Sequence, residues 1–545
     1  MSRKKKILLC CEASYLHTGY ATYGREVMRR LHQTGKYDLA EFASYGESSD
    51  PRVGEIPWRF YPNSPQKDNK QELNEYNSKG TNQFGEWRFE HVLLDFQPDI
   101  VFDIRDFWMI DYQERSPFRK YFHWVIMPTV DAEPQNEQWL STYANAEGVF
   151  NYSEWGRDVL KREGMGKINC LGCAPPSADA AYRPVLDKKE HKKNMGFDPD
   201  TMVIGTVMRN QRRKLFPDLF KTFRMFLDSS KRSDIYLYCH TSFPDVGWDI
   251  PKLINQYGLS SKIILTYVCM DCKNAFPAYF SDARTRCSFC GGHSAGLASV
   301  QKGVSYQFLS DVMNSFDLYL QYANSEGFGL PQVEAAACGV PVMSVDYSAM
   351  SSVIRKLGGE PLRVKALYSE LETGCNRAVP DNEYSAKKIE EFFNLPENER
   401  LKLGVKIKEN FDKYYQWDNT AKIWENYFDS VEIRPESETW KSEPRIHMPE
   451  TRVPDELPPK EYVQWLIINV LGEPDRLNSY MESRMVRDLN YGFHLEGTGG
   501  MYFNEDSMQF ARPQFEKFNK EIAYNYLIDL CMRRNFWEQK RQGLS

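Results

Sequence analysis

Apolar runs of strand length alternate with helical patterns twice along this chain of 545 residues, and that alternation constrains the fold more than any other feature. Strands are predicted over 7–11, 100–104, 124–127 and 148–152, with a helix carrying Val27, Met28 and Leu31 after the first. Beyond the charged stretch DKKEHKKN (187–194), strands recur over 202–208, 234–240, 262–267, 318–323 and 341–345, with a helix over 215–227. Continuous apolar strands separated by helices demand parallel sheets covered on both faces. The predicted architecture is therefore α/β, with two doubly wound units, 1–185 and 196–430, the second closed by a helix over 417–428. Tandem units of this kind bind ligands in the cleft between them, beyond the carboxyl ends of their strands. The Pro- and Glu-rich stretch 431–459 reads as an extended linker. Residues 460–545 read as a mostly helical extension, with Phe515, Phe518, Ile522, Tyr526 and Leu530 at helical spacing.

Charge and cysteine content narrow the classes further. With 75 acidic and 69 basic side chains the net charge is −6, which excludes a generally basic nucleic-acid coat and leaves room for a local basic groove. No apolar run approaches the roughly 20 residues that span a bilayer. The opening MSRKKK-ILLCC imitates a signal peptide for five residues until Glu12 ends the run. A soluble, cytoplasmic protein with no stable membrane insertion is expected. In that compartment twelve cysteines do not build a disulfide framework, so close pairs point to metal.

The most informative stretch is SEGFGLPQVEAAACGVPV, residues 325–342. It follows a predicted strand, places Gly327 and Gly329 in a turn, and begins a helix at Pro331. Proline suits a first helical turn, where no amide hydrogen is needed. The free amides from Phe328 onward, with the helix dipole behind them, form an anion site suited to a diphosphate. Glu326 lies in the turn and Glu334 one turn into the helix, so one carboxylate can meet a sugar ring and the other a ribose.

This string resembles the signature of the family-4 retaining glycosyltransferases, whose two Rossmann-like domains face across a cleft in the GT-B fold. The resemblance spans about 5–430 and is strongest over 200–350. It implies glycosyl transfer (hexosyl or pentosyl) from a nucleotide-sugar such as a UDP-sugar, with no catalytic divalent ion. By the same resemblance Glu334 holds the ribose, Glu326 sits by the donor sugar, and Gly327, Phe328, Gly329 and Leu330 contact sugar and phosphate. Arg209 and Lys214 in VMRNQRRK stand where the family grips the diphosphate, whose leaving charge needs fixed cations. Gly19 stands where the family has a glycine-rich loop. In MPTVDAEP (127–134) the family often has histidine by the sugar; this chain offers Asp131 and Glu133, with His123 upstream, and Asp131 is taken for that place.

A second signal interrupts the second unit over 268–293. Cys269-Met-Asp-Cys272 and Cys287-Ser-Phe-Cys290 stand fourteen residues apart. Two CxxC pairs at that spacing match a structural four-thiolate zinc ribbon, which leaves no open position for catalysis. Lys273, Arg284 and Arg286 are interleaved there with Phe276, Tyr279, Phe280 and Phe289. That mixture suits single-stranded or flipped-out nucleic acid, and equally suits packing of the ribbon on its host. The stretches HTGYATYG, VIMPTVDAEP and VDYSAM are similar to virus-encoded transferases. That resemblance implies a hydroxymethylated base in DNA as the favoured acceptor, with a surface glycan or lipid as the alternative. A non-catalytic nucleic-acid-binding protein using the ribbon is the rival class.

Overall fold

The computed structural model describes residues 3–281, 285–299, 303–443, 447–454, 456–491 and 520–532. Arg284, Phe515 and Phe518 lie outside them. The first unit is a seven-stranded parallel sheet of β1 (Lys5–Glu12), β2 (Tyr37–Ser44), β3 (Arg59–Pro62), β4 (Ile100–Asp103), β5 (His123–Ile126), β6 (Gly148–Asn151) and β7 (Cys170–Cys173). Its order is β3-β2-β1-β4-β5-β6-β7, so the winding reverses between β1 and β4, where Ile7 pairs with Ile100. The apolar run of β1 is buried on both faces, as a central parallel strand must be.

The second unit repeats the pattern with β8 (Met202–Val207), β9 (Ile235–His240), β10 (Ile263–Cys269), β11 (Ala275–Tyr279), β12 (Ala295–Leu297), β13 (Leu318–Gln321), β14 (Val342–Val345) and β15 (Glu360–Leu362). The order is β11-β10-β9-β8-β13-β14-β15, and the reversal falls between β8 and β13. A hairpin of β16 (Val364–Ser369) and β17 (Asn376–Pro380) follows. Both reversals open at carboxyl strand ends, which is where doubly wound sheets bind ligands.

The cysteine-bearing insertion joins the sheet, since β11 and β12 both pair antiparallel with β10. Two features differ from the sequence reading. The helix Trp417–Ser430, expected to close the second unit, crosses back to the first. Its Trp424 packs at a tilt against Phe150 with ring centroids 4.6 Å apart and donates its indole N–H to the Tyr23 hydroxyl at 2.8 Å. An aromatic face at helical spacing shows that a helix is buried, but not against which sheet. Finally, the stretch after 430 is pinned to the first unit, with Trp440 packed on Phe118 and Tyr121 and Arg434 paired with Glu147 at 3.0 Å.

The helices Pro459–Leu466 and Tyr480–Tyr491 and the helical residues 520–532 share a core of Tyr462, Leu466, Met485, Leu489, Leu527 and Leu530. This extension docks on the first unit through Arg476, paired with Glu114 at 2.9 Å, and Lys120, paired with Asp475 at 3.0 Å. Among the described residues no helix is long and apolar enough to cross a membrane.

Candidate active site

The loop after β8 and the loop after β13 meet at the reversal of the second sheet. Lys214 ends the first, and an isolated backbone bridge ties it to Ala323. Its ammonium pairs with the Glu326 carboxylate, and both side chains are buried. Arg213 binds the other oxygen of Glu326 at 2.6 Å, and Gln321 donates to the carboxylate at 3.3 Å. Burial, and then the neighbouring Arg213 charge, push the Lys214 ammonium well down. Arg213 and Lys214 thus meet on one carboxylate at the mouth of the turn.

The turn itself is built as the spacing predicts. Gly329 caps the helix Leu330–Ala337 in the left-handed region at φ 84°, with Pro331 in the first turn. Phe328 packs on Tyr415, and its carbonyl accepts from the Gln332 amide at 3.0 Å. Glu334 is buried one turn in, near Tyr182 and Asp179. Burial pushes its carboxyl up to about 7, against a pull downward from the Tyr182 hydroxyl.

The first unit closes over this turn. A side chain on Gly327 would collide with the methyl of Thr129, so glycine is required by the close approach of the two units. Gly327→Ala should force a shift that costs about 1–3 kcal/mol and lowers nucleotide affinity. Thr129→Ser removes that methyl and keeps the hydroxyl that meets Tyr20 at 2.7 Å, so the double variant should recover most of the loss by calorimetry.

Of the other expected residues, Gly19 begins the helix Gly19–Thr34 directly beyond β1, capped by the Thr18 hydroxyl. Arg209 is half-exposed on the same loop as Lys214 but pairs with Asp245 at 2.9 Å rather than with Glu326. Asp131 reaches across the cleft and accepts from Arg377 at 3.0 Å and the Ser325 hydroxyl at 3.2 Å. Arg377, on β17, also holds Glu370 at 2.7 Å and the Ser325 hydroxyl at 2.6 Å. Arg213, Ser325 and Arg377 were not singled out from sequence. Arg213 stood in plain view inside VMRNQRRK, but nothing in the spacing selects it over Arg209.

At the far edge the four cysteines converge, with all four sulfurs within 4.8 Å of one another. Cys269 and Cys290 are 3.7 Å apart and Cys272 and Cys287 3.6 Å. Those separations are too long for a disulfide at about 2.0 Å. They fit a tetrahedral ion, whose sulfurs at about 2.3 Å from the metal lie about 3.8 Å from each other. Each pair forms the same tight knuckle: the Lys273 amide donates to the Cys269 carbonyl and the Gly291 amide to the Cys287 carbonyl, both at 3.0 Å. The Phe289 amide also donates to the Cys287 sulfur at 3.4 Å.

Residues 298–409 match the family described as Glycosyl transferases group 1. The chain carries a glycosyltransferase domain. Solved structures agree on the fold. Sucrose-phosphate synthase from Thermosynechococcus elongatus superposes with a TM-score of 0.56 at 16% identity, covering 79% of this chain and 100% of its own. The E. coli trehalose-6-phosphate structure bound with UDP-2-fluoro glucose gives 0.53 at 12%, covering 79% and 100%. HepE from Anabaena in complex with UDP and glucose gives 0.53 at 12%, covering 78% and 100%. The two sheets thus match the GT-B fold. No curated protein matches the chain in sequence.

Proposed function

We propose that the chain is a retaining glycosyltransferase that moves a sugar from a nucleotide-sugar donor to a macromolecular acceptor. The observation that carries this is the cluster of Arg213 and Lys214 on Glu326, set beside the amides of the Gly329–Leu330 helix start. In this reading the diphosphate lies against those cations and amides, with Arg209 adding charge from the same loop. The sugar sits against Gly327 and Glu326, and Glu334 receives the ribose hydroxyls. Residues 1–185 present the acceptor and 196–430 hold the donor. The transfer needs no catalytic divalent ion, because the fixed cations meet the departing charge.

Glu334 gives this reading a pH signature. A carboxylate that accepts from ribose must be ionised, and its carboxyl is held up to about 7. Affinity for UDP should therefore fall as pH drops through 7, by about tenfold between pH 8 and pH 6. The diphosphate titrates too, near pH 6. Glu334→Gln separates the two, because it should bind weakly at pH 8 and lose only the part of the pH dependence that belongs to the protein.

The four cysteines hold a structural zinc ion in this reading, and no step of the transfer runs through it. The favoured acceptor is a hydroxymethylated base in DNA. It is supported by the likeness of three stretches to virus-encoded transferases and by the exposed face of the cysteine hairpin, where Lys273, Arg286 and Phe289 are all open to solvent. Such a reaction belongs in the cytoplasm, where thiols stay reduced. Incubating the protein with UDP-glucose or a guanosine-linked donor and hydroxymethylated DNA, then weighing the released nucleosides, tests the acceptor. A hexose added to the modified base supports it. Donor hydrolysis with unmodified nucleosides moves the acceptor to a glycan or lipid, and DNA binding without any donor turnover favours the non-catalytic alternative.

A further inference from the structure

The β16–β17 hairpin follows the last strand of the second sheet and is tied to both units. Its Ala378 amide donates to the carbonyl of Asn324, next to Ser325, at 3.0 Å, and its Asn376 amide donates to the Glu133 carbonyl of the first unit at 2.7 Å. Between those two backbone ties stands Arg377, whose side chain is 10% exposed. One edge of its guanidinium is fixed within the hairpin, where Nε and Nη2 both donate to a single Glu370 oxygen, at 3.1 and 2.7 Å. Nη1 donates instead to two groups, the Ser325 hydroxyl at 2.6 Å and Oδ2 of Asp131 at 3.0 Å. The Ser325 hydroxyl donates in turn to the same Oδ2 at 3.2 Å, closing a triangle. The Ser325 carbonyl accepts from Arg213 at 3.3 Å, so the residue before Glu326 is held from both sides. Oδ2 of Asp131 is thereby engaged twice. Its Oδ1 accepts no hydrogen bond among the described residues, and the side chain is 30% exposed.

We propose that Arg377 is a positioning residue of the glycosyl transfer: it fixes Asp131 by Oδ2 against the donor turn, so that Oδ1 is left to accept a hydroxyl of the donor sugar. This rests on the donor reading above, in which the sugar lies beside Gly327 and Glu326. A guanidinium suits the work because its planar fork holds several partners in one geometry, which an ammonium on a flexible stem does not reproduce. Asp131 arrives on a loop of the first unit and Ser325 on a loop of the second, and the fork sets the distance between them. A misplacement of about 1 Å at a reacting sugar can cost about a hundredfold in rate. The nucleotide takes no part in the triangle, because Glu334 lies on the helix Leu330–Ala337 and Lys214 is bound to Glu326. Arg377 therefore acts on the sugar through Asp131 and leaves the nucleotide alone.

The test compares wild type with Arg377→Lys, Asp131→Asn and the double variant, using the UDP- or GDP-hexose that wild type hydrolyses fastest. In Arg377→Lys the affinity for free UDP or GDP by calorimetry should stay within about twofold, while kcat/KM for the hexose donor should fall about tenfold to a hundredfold. Asp131→Asn, which keeps the shape of the contact, should show the same split between nucleotide and sugar. Because Arg377 acts through Asp131, the double variant should lose no more than about threefold beyond Asp131→Asn alone. Nucleotide affinity falling in step with turnover marks a merely structural contact and overturns the assignment, as do losses that multiply in the double variant. A wild type that hydrolyses its donor and is matched within about threefold by Arg377→Lys overturns the assignment alone. A wild type that hydrolyses no UDP- or GDP-hexose overturns the glycosyl-transfer reading, and this assignment with it.

Discussion

Lys214→Ala is expected to lower nucleotide-sugar turnover by about a hundredfold to a thousandfold, the loss seen when one fixed charge stabilising a departing oxyanion is removed. The same change breaks a buried ion pair. Lys214 and Glu326 are 8% and 7% exposed at the side chain, so water does little to screen them. Losing one partner of such a pair costs about 3–5 kcal/mol in stability. Arg213 remains bound to Glu326 and should hold that cost toward the lower end. Turnover has therefore to be measured below the melting temperature of the variant. Arg209→Ala makes the contrast, since its partner Asp245 lies apart from Glu326. It should leave stability nearly unchanged while weakening the diphosphate. Equal turnover losses in the two variants would show that the loop acts as a diffuse basic surface rather than through Lys214 in particular.

The second large effect concerns metal. Wild-type protein isolated under reducing conditions without chelator should contain about one zinc per chain, since four thiolates saturate the ion. Cys269→Ser with Cys272→Ser should contain none. Structural zinc sites in small peptides contribute about 10–16 kcal/mol of apparent binding energy, so the strands Ala275–Tyr279 and Ala295–Leu297 should lose their order. Both of those strands hydrogen-bond to β10, which makes the damage spread into the sheet edge and lower the melting temperature of the whole second unit. UDP affinity should survive at low temperature, because the proposed donor site sits between β8 and β13, with β9 separating it from β10. Metal-free wild type with an unchanged melting curve contradicts the zinc assignment.

Much of this was legible in the chain because the signals were local. The run Ile7–Cys11, the Gly327–Pro331 turn and the paired CxxC motifs each encode their geometry within a few residues, through burial, backbone freedom or ligand spacing. What stayed hidden depends on contacts between distant segments. Arg377 acquires a role only when the β16–β17 hairpin brings it to Asp131, 246 residues away. Trp424 announces burial but not its partners, Phe150 and Tyr23 in the other unit. The choice between Arg209 and Arg213 rests on which face of one loop turns toward Glu326, and no periodicity records that.

The central claim is transfer from a nucleotide-sugar with retention, and the anomeric proton of the product tests it most directly. Purified protein incubated with an α-linked donor such as UDP-glucose, followed by NMR from the first minutes of reaction, should release UDP and place the sugar on its acceptor in the α configuration. An initial β product, or no release of nucleotide from any UDP- or GDP-sugar by folded protein, would contradict it.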